Sequence, residues 1–168
     1  MTSRGVHNLK EKITGSHTQY DAIHAKAPVL SIKSDESGHH FKTILIAGSF
    51  QEDDIPNCEL VIALYKAFNS KIYLLRINTP KNFILDQDAK LHMNAFAEKH
   101  GITDPNYSVY NDHSVEEGII HYGEKESIDM IVIGSMQRIG LTKFIYGCVS
   151  ASLMNHSNRL LLTFPLKS

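Results

Sequence analysis

Three observations predict an α/β protein with a three-layer α/β/α architecture built on a five-stranded parallel sheet. Short apolar runs such as Ile128–Ile133 and Leu160–Phe164 alternate along the chain with longer stretches of helical periodicity. The strand-like and helix-like stretches follow one another singly, which requires right-handed crossovers and a sheet covered on both faces. The totals are those of an ordinary globular chain. In 168 residues, 42% are hydrophobic and 21% charged, enough for one domain with a sizeable core.

The regular alternation begins at Phe41. Thr43–Gly48 reads as a strand, followed by a helix over about Asn57–Asn69 with Leu60, Val61, Leu64, Ala67 and Phe68 on its apolar side. Lys71–Ile77 is the second strand. Pro80 keeps Asn78–Phe83 from being regular helix. A helix from Leu85 to His100 turns Ala89, Met93, Phe96 and Ala97 inward and stops at Gly101. Tyr107–Asn111 is the third strand. Ser114 or Asp112 caps a helix over Ser114–Glu126, with Glu116 and Glu117 in its first turn favouring the helix start rather than forming an acid/base pair. Ile128–Ile133, Leu141–His156 and Leu160–Phe164 complete the alternation as strand, helix and strand. Five strands and four helices fit the flavodoxin-like or half-Rossmann size class.

Residues 1–33 do not fit that count. Leu9, Ile13, Tyr20 and Ile23 recur at helical spacing, and Pro28–Ile32 reads as a short strand, so an extra N-terminal helix and strand are expected. Ser34–His40 is polar and reads as a linker.

Charge and composition narrow the function. A net charge of -1 gives no electrostatic reason to expect nucleic acid or an acidic membrane surface. No apolar run is long enough to span a membrane, and the N-terminus has no apolar signal core, so a cytoplasmic setting is expected. The two cysteines, Cys58 and Cys148, both fall in predicted helices and read as buried thiols.

The stretch after Ile133 carries the strongest motif. Gly134-Ser-Met-Gln137-Arg-Ile-Gly-Leu-Thr-Lys-Phe-Ile-Tyr-Gly147-Cys148 follows a strand and leads into a helix, an order in which backbone N–H groups can face a phosphate. Its spacing resembles the nucleotide motif of the universal stress protein family: Gly, two residues, Gly, nine residues, Gly, then Ser or Thr. Gly134 and Gly147 stand at the outer glycines, Gln137 at the middle glycine and Cys148 at the hydroxyl. The resemblance implies a nucleotide alpha-hydrolase-like fold and, in nucleotide-binding members, an Asp after the first strand that touches the nucleoside. Here Ser49, in Ile-Leu-Ile-Ala-Gly-Ser-Phe, stands against the family's Val-Asp-Gly-Ser ending. A side chain at 137 would enter the phosphate space, and a thiol is a weak donor where a hydroxyl should bind. The expectation is therefore a degraded nucleotide site at Ser49, Gly134, Gln137, Gly147 and Cys148, with no cofactor. The alternative is an ATP-binding member with slow hydrolysis or nucleotide-dependent switching.

An internal repeat extends the resemblance to the whole chain. Shifting the sequence by 132 positions lays Gly5 on Gln137, Gly15-Ser16 on Gly147-Cys148, and Val29-Leu30 on Leu161-Leu162; Thr2 falls on the first glycine. Residues 1–33 thus resemble the last helix and strand of a truncated first domain, 34–40 a linker, and 41–168 a complete second domain. Family domains commonly associate through their last strands. The resemblance therefore implies a homodimer or pseudo-dimer in which Val29–Ile32 pairs antiparallel with Leu160–Phe164. The helix of residues 7–25 would lie beside that junction.

Other chemistry is sparse. His17, Asp21 and His24 share one face of a predicted helix, and His39-His40 lies in the linker, but neither set has the further ligands of a metal site. No serine sits at a nucleophile elbow, and neither cysteine has a supporting His–acid pair. Arg138 and Lys143 flank the glycine motif as ordinary surface bases. No catalytic residue is expected. The function implied is that of a non-enzymatic stress-response module working through dimerisation or regulatory binding.

Overall fold

The computed structural model describes residues 28–32, 41–51, 58–133, 153 and 159–164. Nine elements are resolved there. In chain order they are β1 (Val29–Ser31), β2 (Thr43–Ala47), α1 (Glu59–Phe68), β3 (Lys71–Asn78), α2 (Asp86–His100), β4 (Asn106–Asn111), α3 (Val115–Lys125), β5 (Met130–Ile133) and β6 (Leu160–Thr163). The strands form one sheet in the order β1-β6-β5-β2-β3-β4. β6-β5-β2-β3-β4 is the expected five-stranded parallel sheet, and β1 joins its edge antiparallel.

Side-chain alternation along the strands builds two cores, one on each face. Ile44, Ile46, Ile72, Leu74, Met130, Val132, Leu160 and Leu162 point to the face covered by α1 and α2, where Val61, Met93 and Phe96 meet them. Leu45, Ala47, Leu75, Ile77, Ile131, Ile133 and Leu161 point to the other face, against Ile119 and Tyr122 of α3 and the helical residue Leu153. The three layers follow from the period-two pattern of strands buried on both sides.

Helix ends obey local chemistry. α1 stops at Asn69 and α2 at Gly101, both in the left-handed region. Ser114 caps α3 by accepting a hydrogen bond from the Glu117 N–H at 3.1 Å, with Glu116 and Glu117 in the first turn. Leu85 is the cap residue of α2, not a helical one, and Ala89, Met93, Phe96 and Ala97 are buried as expected.

Two further details differ from the sequence reading. On α1, Leu60, Ala67 and Phe68 are exposed, Leu60 by 43% and Phe68 by 53%. The buried stripe centres on Val61, from which Leu60 and Ala67 are rotated by roughly 100° or more around the helix. Phe68 lies in the last turn, stacked on Phe41 at 4.7 Å. Ile128 and Asp129 precede β5 instead of forming part of it. The Asp129 carboxylate accepts the Thr43 N–H and its own N–H donates to the Thr43 hydroxyl, each at 2.9 Å, which turns the chain into the ladder at Met130.

The expected helix of residues 7–25 lies outside the described residues, as do Gly5, Gly15, Ser16, His17, Asp21, His24, His39 and His40. Except for Leu153, so does the stretch 134–158.

Candidate functional site

From β2 the chain moves outward on one side through β3 and β4, then returns to build β5 and β6 on the other. The boundary between β2 and β5 is the topological switch point, and open α/β sheets place ligands outside the strand ends there. The carboxyl ends of the two strands lie side by side, with Ala47 in register with Ile133. Gly48 follows Ala47 and Gly134 follows Ile133 in sequence, so both candidate stretches are joined to strand ends at this boundary.

Of the five candidate residues, Ser49 is described; Gly134, Gln137, Gly147 and Cys148 lie outside the described residues, as do Arg138 and Lys143. Ser49 is 1% exposed, and its hydroxyl accepts the Gln51 N–H at 3.4 Å. That local bond closes a turn two residues on. Phe50, inside the turn, has φ of 58°, a region that bulky side chains rarely enter. Its ring is held in the core, edge-on to Phe96 at 5.3 Å between centroids. Aromatic burial thus holds this loop in a strained backbone shape at the switch point.

At the opposite edge, β1 and β6 pair Val29 with Thr163, Leu30 with Leu162 and Ser31 with Leu161. The repeat expected at a shift of 132 residues would make Leu30 the counterpart of Leu162, Val29 of Leu161 and Ser31 of Thr163. On that shift, Leu30 pairs with the residue expected to be its equivalent, and its neighbours pair crosswise. A local two-fold axis passes between Leu30 and Leu162, as at an isologous contact between two copies. Of the pairing expected for Val29–Ile32 with Leu160–Phe164, Val29–Ser31 with Leu161–Thr163 is formed, within the chain.

The sequence reading missed a polar cluster at the carboxyl ends of β3 and β4. Arg76 and Asn78 are buried within the mainly apolar strand β3, and that mismatch was the available signal. Arg76 Nη2 donates to Asn82 Oδ1 at 2.8 Å. Beyond β4, His121 Nδ1 bonds Asp112 Oδ2 at 2.8 Å. The pair holds the Asp112 carboxyl below its usual range, first through the bond to His121 and also through the His113 N–H. The same bond raises the His121 imidazole above its ordinary value. Burial pushes the Cys58 thiol up to about 12, which removes it as a nucleophile near neutral pH. Among the described residues no group of three or more His, Cys, Asp and Glu is arranged to hold a metal ion.

The sequence model described as "Universal stress protein family" matches residues 40–164. The chain belongs to the universal stress protein family. Solved structures of that family have the same fold. A universal stress protein from Archaeoglobus fulgidus DSM 4304 is 20% identical with a TM-score of 0.68, over 98% of this chain and 60% of that one. A putative universal stress protein from Pseudomonas aeruginosa UCBPP-PA14 is 15% identical with a TM-score of 0.65, over 90% of this chain and 56% of its own. The chain thus spans little more than half the length of these two. A universal stress protein in complex with cAMP is 14% identical with a TM-score of 0.59, over 74% of this chain and 97% of that one. No curated protein sequence matches the chain. Among the described residues, no helix is long and apolar enough to cross a membrane.

Proposed function

We propose that this universal stress protein is a non-enzymatic, cytoplasmic stress-response module that works through domain pairing, with its nucleotide site degraded. The observation that carries the reading is the two-fold pairing of Leu30 with Leu162. It supports residues 1–33 as the end of a first domain, 34–40 as a linker and 41–168 as a second domain. The two halves of the junction then contact each other as two subunits of a homodimer would. The lengths of the Archaeoglobus and Pseudomonas proteins accord with such a tandem arrangement.

The nucleotide site lacks its chemistry at three points. Matching Gly48-Ser49 to the Gly-Ser of the family's Val-Asp-Gly-Ser ending sets Ala47, rather than Ser49, against the Asp. Ala47 is 3% exposed and packs in the core, so either alignment leaves the nucleoside without a carboxylate. Gln137 and Cys148 stand at the middle glycine and the phosphate-binding hydroxyl. Each loss costs on the order of 1 kcal/mol or more, which together removes micromolar binding.

The second reading, ATP binding with slow hydrolysis or switching, draws on the relative crystallised with cAMP. Titration calorimetry with Mg-ATP separates the two. At about 50 μM protein, a family-type micromolar affinity would give a saturable isotherm, and the degraded site gives none. A saturable isotherm would overturn the proposal. Restoring the pattern with Ala47→Asp, Gln137→Gly and Cys148→Ser together is expected to recover binding.

A further inference from the structure

We infer that an open groove at the carboxyl ends of β3 and β4 is a binding site for a small, uncharged, planar heteroaromatic molecule. The groove encloses about 690 Å³, within the size range of small-molecule sites. It lies at β3 and β4, on the far side of β3 from the β2/β5 switch point.

Its walls are fixed before any ligand arrives. Asn78, buried at the end of β3, ties down both of them. Its side chain donates to the Ile84 carbonyl at 3.0 Å and accepts the Ile84 N–H at 3.3 Å, while its carbonyl accepts the Asp112 N–H at 3.0 Å. The turn between these contacts is closed by reciprocal backbone bonds between Thr79 and Asn82 and by the Arg76–Asn82 bond. On the opposite wall, Asp112 is held by the His113 N–H at 2.7 Å and by His121 at 2.8 Å. The ordering cost of building a ligand site is therefore met by the fold.

This pinned turn carries Phe83, which is 64% exposed while its neighbour Ile84 packs against the core. A large aromatic ring held in water on a rigid turn is not explained by packing. Phe83, Pro80 and Tyr110 form the apolar surface of the groove, and Tyr110 is steadied edge-on by Tyr122 at 6.0 Å. Aromatic walls of this kind favour a flat ring, in stacked or edge-on contact. Thr79, Asn111 and His113 supply hydroxyl, amide and imidazole groups around it, able to meet donors and acceptors on a ring's edge. Among the described residues no lysine or arginine lines the groove, and the Asp112 carboxylate in its wall is already paired with His121. Phosphates and carboxylates are recognised chiefly by lysine and arginine, so the ligand class is uncharged rather than anionic.

The test is a ¹H–¹⁵N NMR titration of the 168-residue protein with indole, nicotinamide and adenine. At least one is expected to give saturable shifts confined to Thr79–Phe83 and Tyr110–His113. Phe83→Ala should weaken that ring at least about tenfold, the loss of one good aromatic contact with its buried area. Because Phe83 is exposed, that variant should melt with the wild type, so weakened binding cannot be traced to unfolding. Asn111→Ala should weaken nicotinamide and adenine without changing the fold. The inference is overturned if none of the three rings gives saturable shifts up to about 10 mM, or if Phe83→Ala binds as tightly as the wild type. Neither result depends on whether Mg-ATP binds.

Discussion

Two glycines on α3 test how closely that helix is seated on the sheet, because alanine should act in opposite directions at them. Inside a helix, Gly→Ala stabilises by about 1 kcal/mol through backbone entropy and buried surface. At Gly123 an added Cβ would lie 3.5 Å from Arg159 Nε and 3.8 Å from Ile131 Cδ1, ordinary contact distances. Gly123→Ala should therefore realise most of that gain. At Gly118 the same methyl would lie 2.8 Å and 2.9 Å from the Ile77 Cγ2 and Cδ1 and 3.2 Å from the Asp112 Cβ. Ile77 is β-branched, buried and packed among Ala47, Leu75 and Ile119, so its side chain has little room to swing away. Overpacking of this kind costs about 1–3 kcal/mol, which outweighs the helix gain and leaves a net loss of about 1 kcal/mol. The two variants should then differ by about 2 kcal/mol, or roughly 4–8 °C in melting temperature for a chain of this size. Urea unfolding followed by circular dichroism measures the difference directly. Equal stabilisation by both substitutions would refute the close approach of α3 to Ile77. A second readout is independent of stability. The methyl at Gly118 should push α3 from the Asp112 loop and loosen the Asp112–His121 contact, so the His121 titration should move back toward the ordinary histidine range.

At Phe50, Ala and Gly should rank in an unusual order. Either substitution forfeits about 3–5 kcal/mol of buried aromatic surface, but glycine at φ of 58° avoids left-handed strain, so Phe50→Gly should be more stable than Phe50→Ala by about 0.5–1 kcal/mol; the reverse order in urea melts would remove the strain from the account. The Asp112–His121 pair predicts a pH window. The lowered Asp112 contributes stability above the unfolded carboxylate value, lost as pH falls through its folded one; the raised His121 contributes below the unfolded imidazole value, lost as pH rises through its folded one. The stability advantage of the wild type over His121→Ala should thus be largest between about pH 4 and 6.5, and an advantage growing toward pH 9 would contradict the pair. Removing residues 1–36 should expose the β6 edge and cause self-association in sedimentation or light scattering; a monomeric, soluble and equally stable product would show that β1 does not protect it.

The parts of the fold that were legible in the sequence are those set by one repeating property. The continuous apolar run Ile44–Ala47, buried on both faces of the sheet, and the period-3.6 burial of Ala89, Met93, Phe96 and Ala97 each need only local sequence, and both appear where expected. The β1–β6 junction was legible for a different reason: the sequence reading expected Val29–Ile32 to pair antiparallel with the apolar edge strand at Leu160–Phe164, and β1 and β6 do pair that way. Contacts that depend on a third element were not legible. Leu60 and Val61 are equally apolar, and only the direction in which α1 meets the sheet decides that one is exposed and the other buried. His121 lies nine residues from Asp112, and nothing in that interval signals the pair; it forms because Gly118 lets α3 come down on Ile77 beside the Asp112 turn. Arg76 and Asn78 did break the apolar pattern of their strand, yet their meaning required the turn that Arg76 holds through Asn82 and Asn78 through Ile84. Buried polar residues in a strand of a parallel sheet must find partners beyond the ladder. Here those partners are the loop at its carboxyl end, the end at which open α/β sheets place their ligands. The break in pattern at Arg76 and Asn78 is thus accounted for by the turn that the two side chains hold at that end.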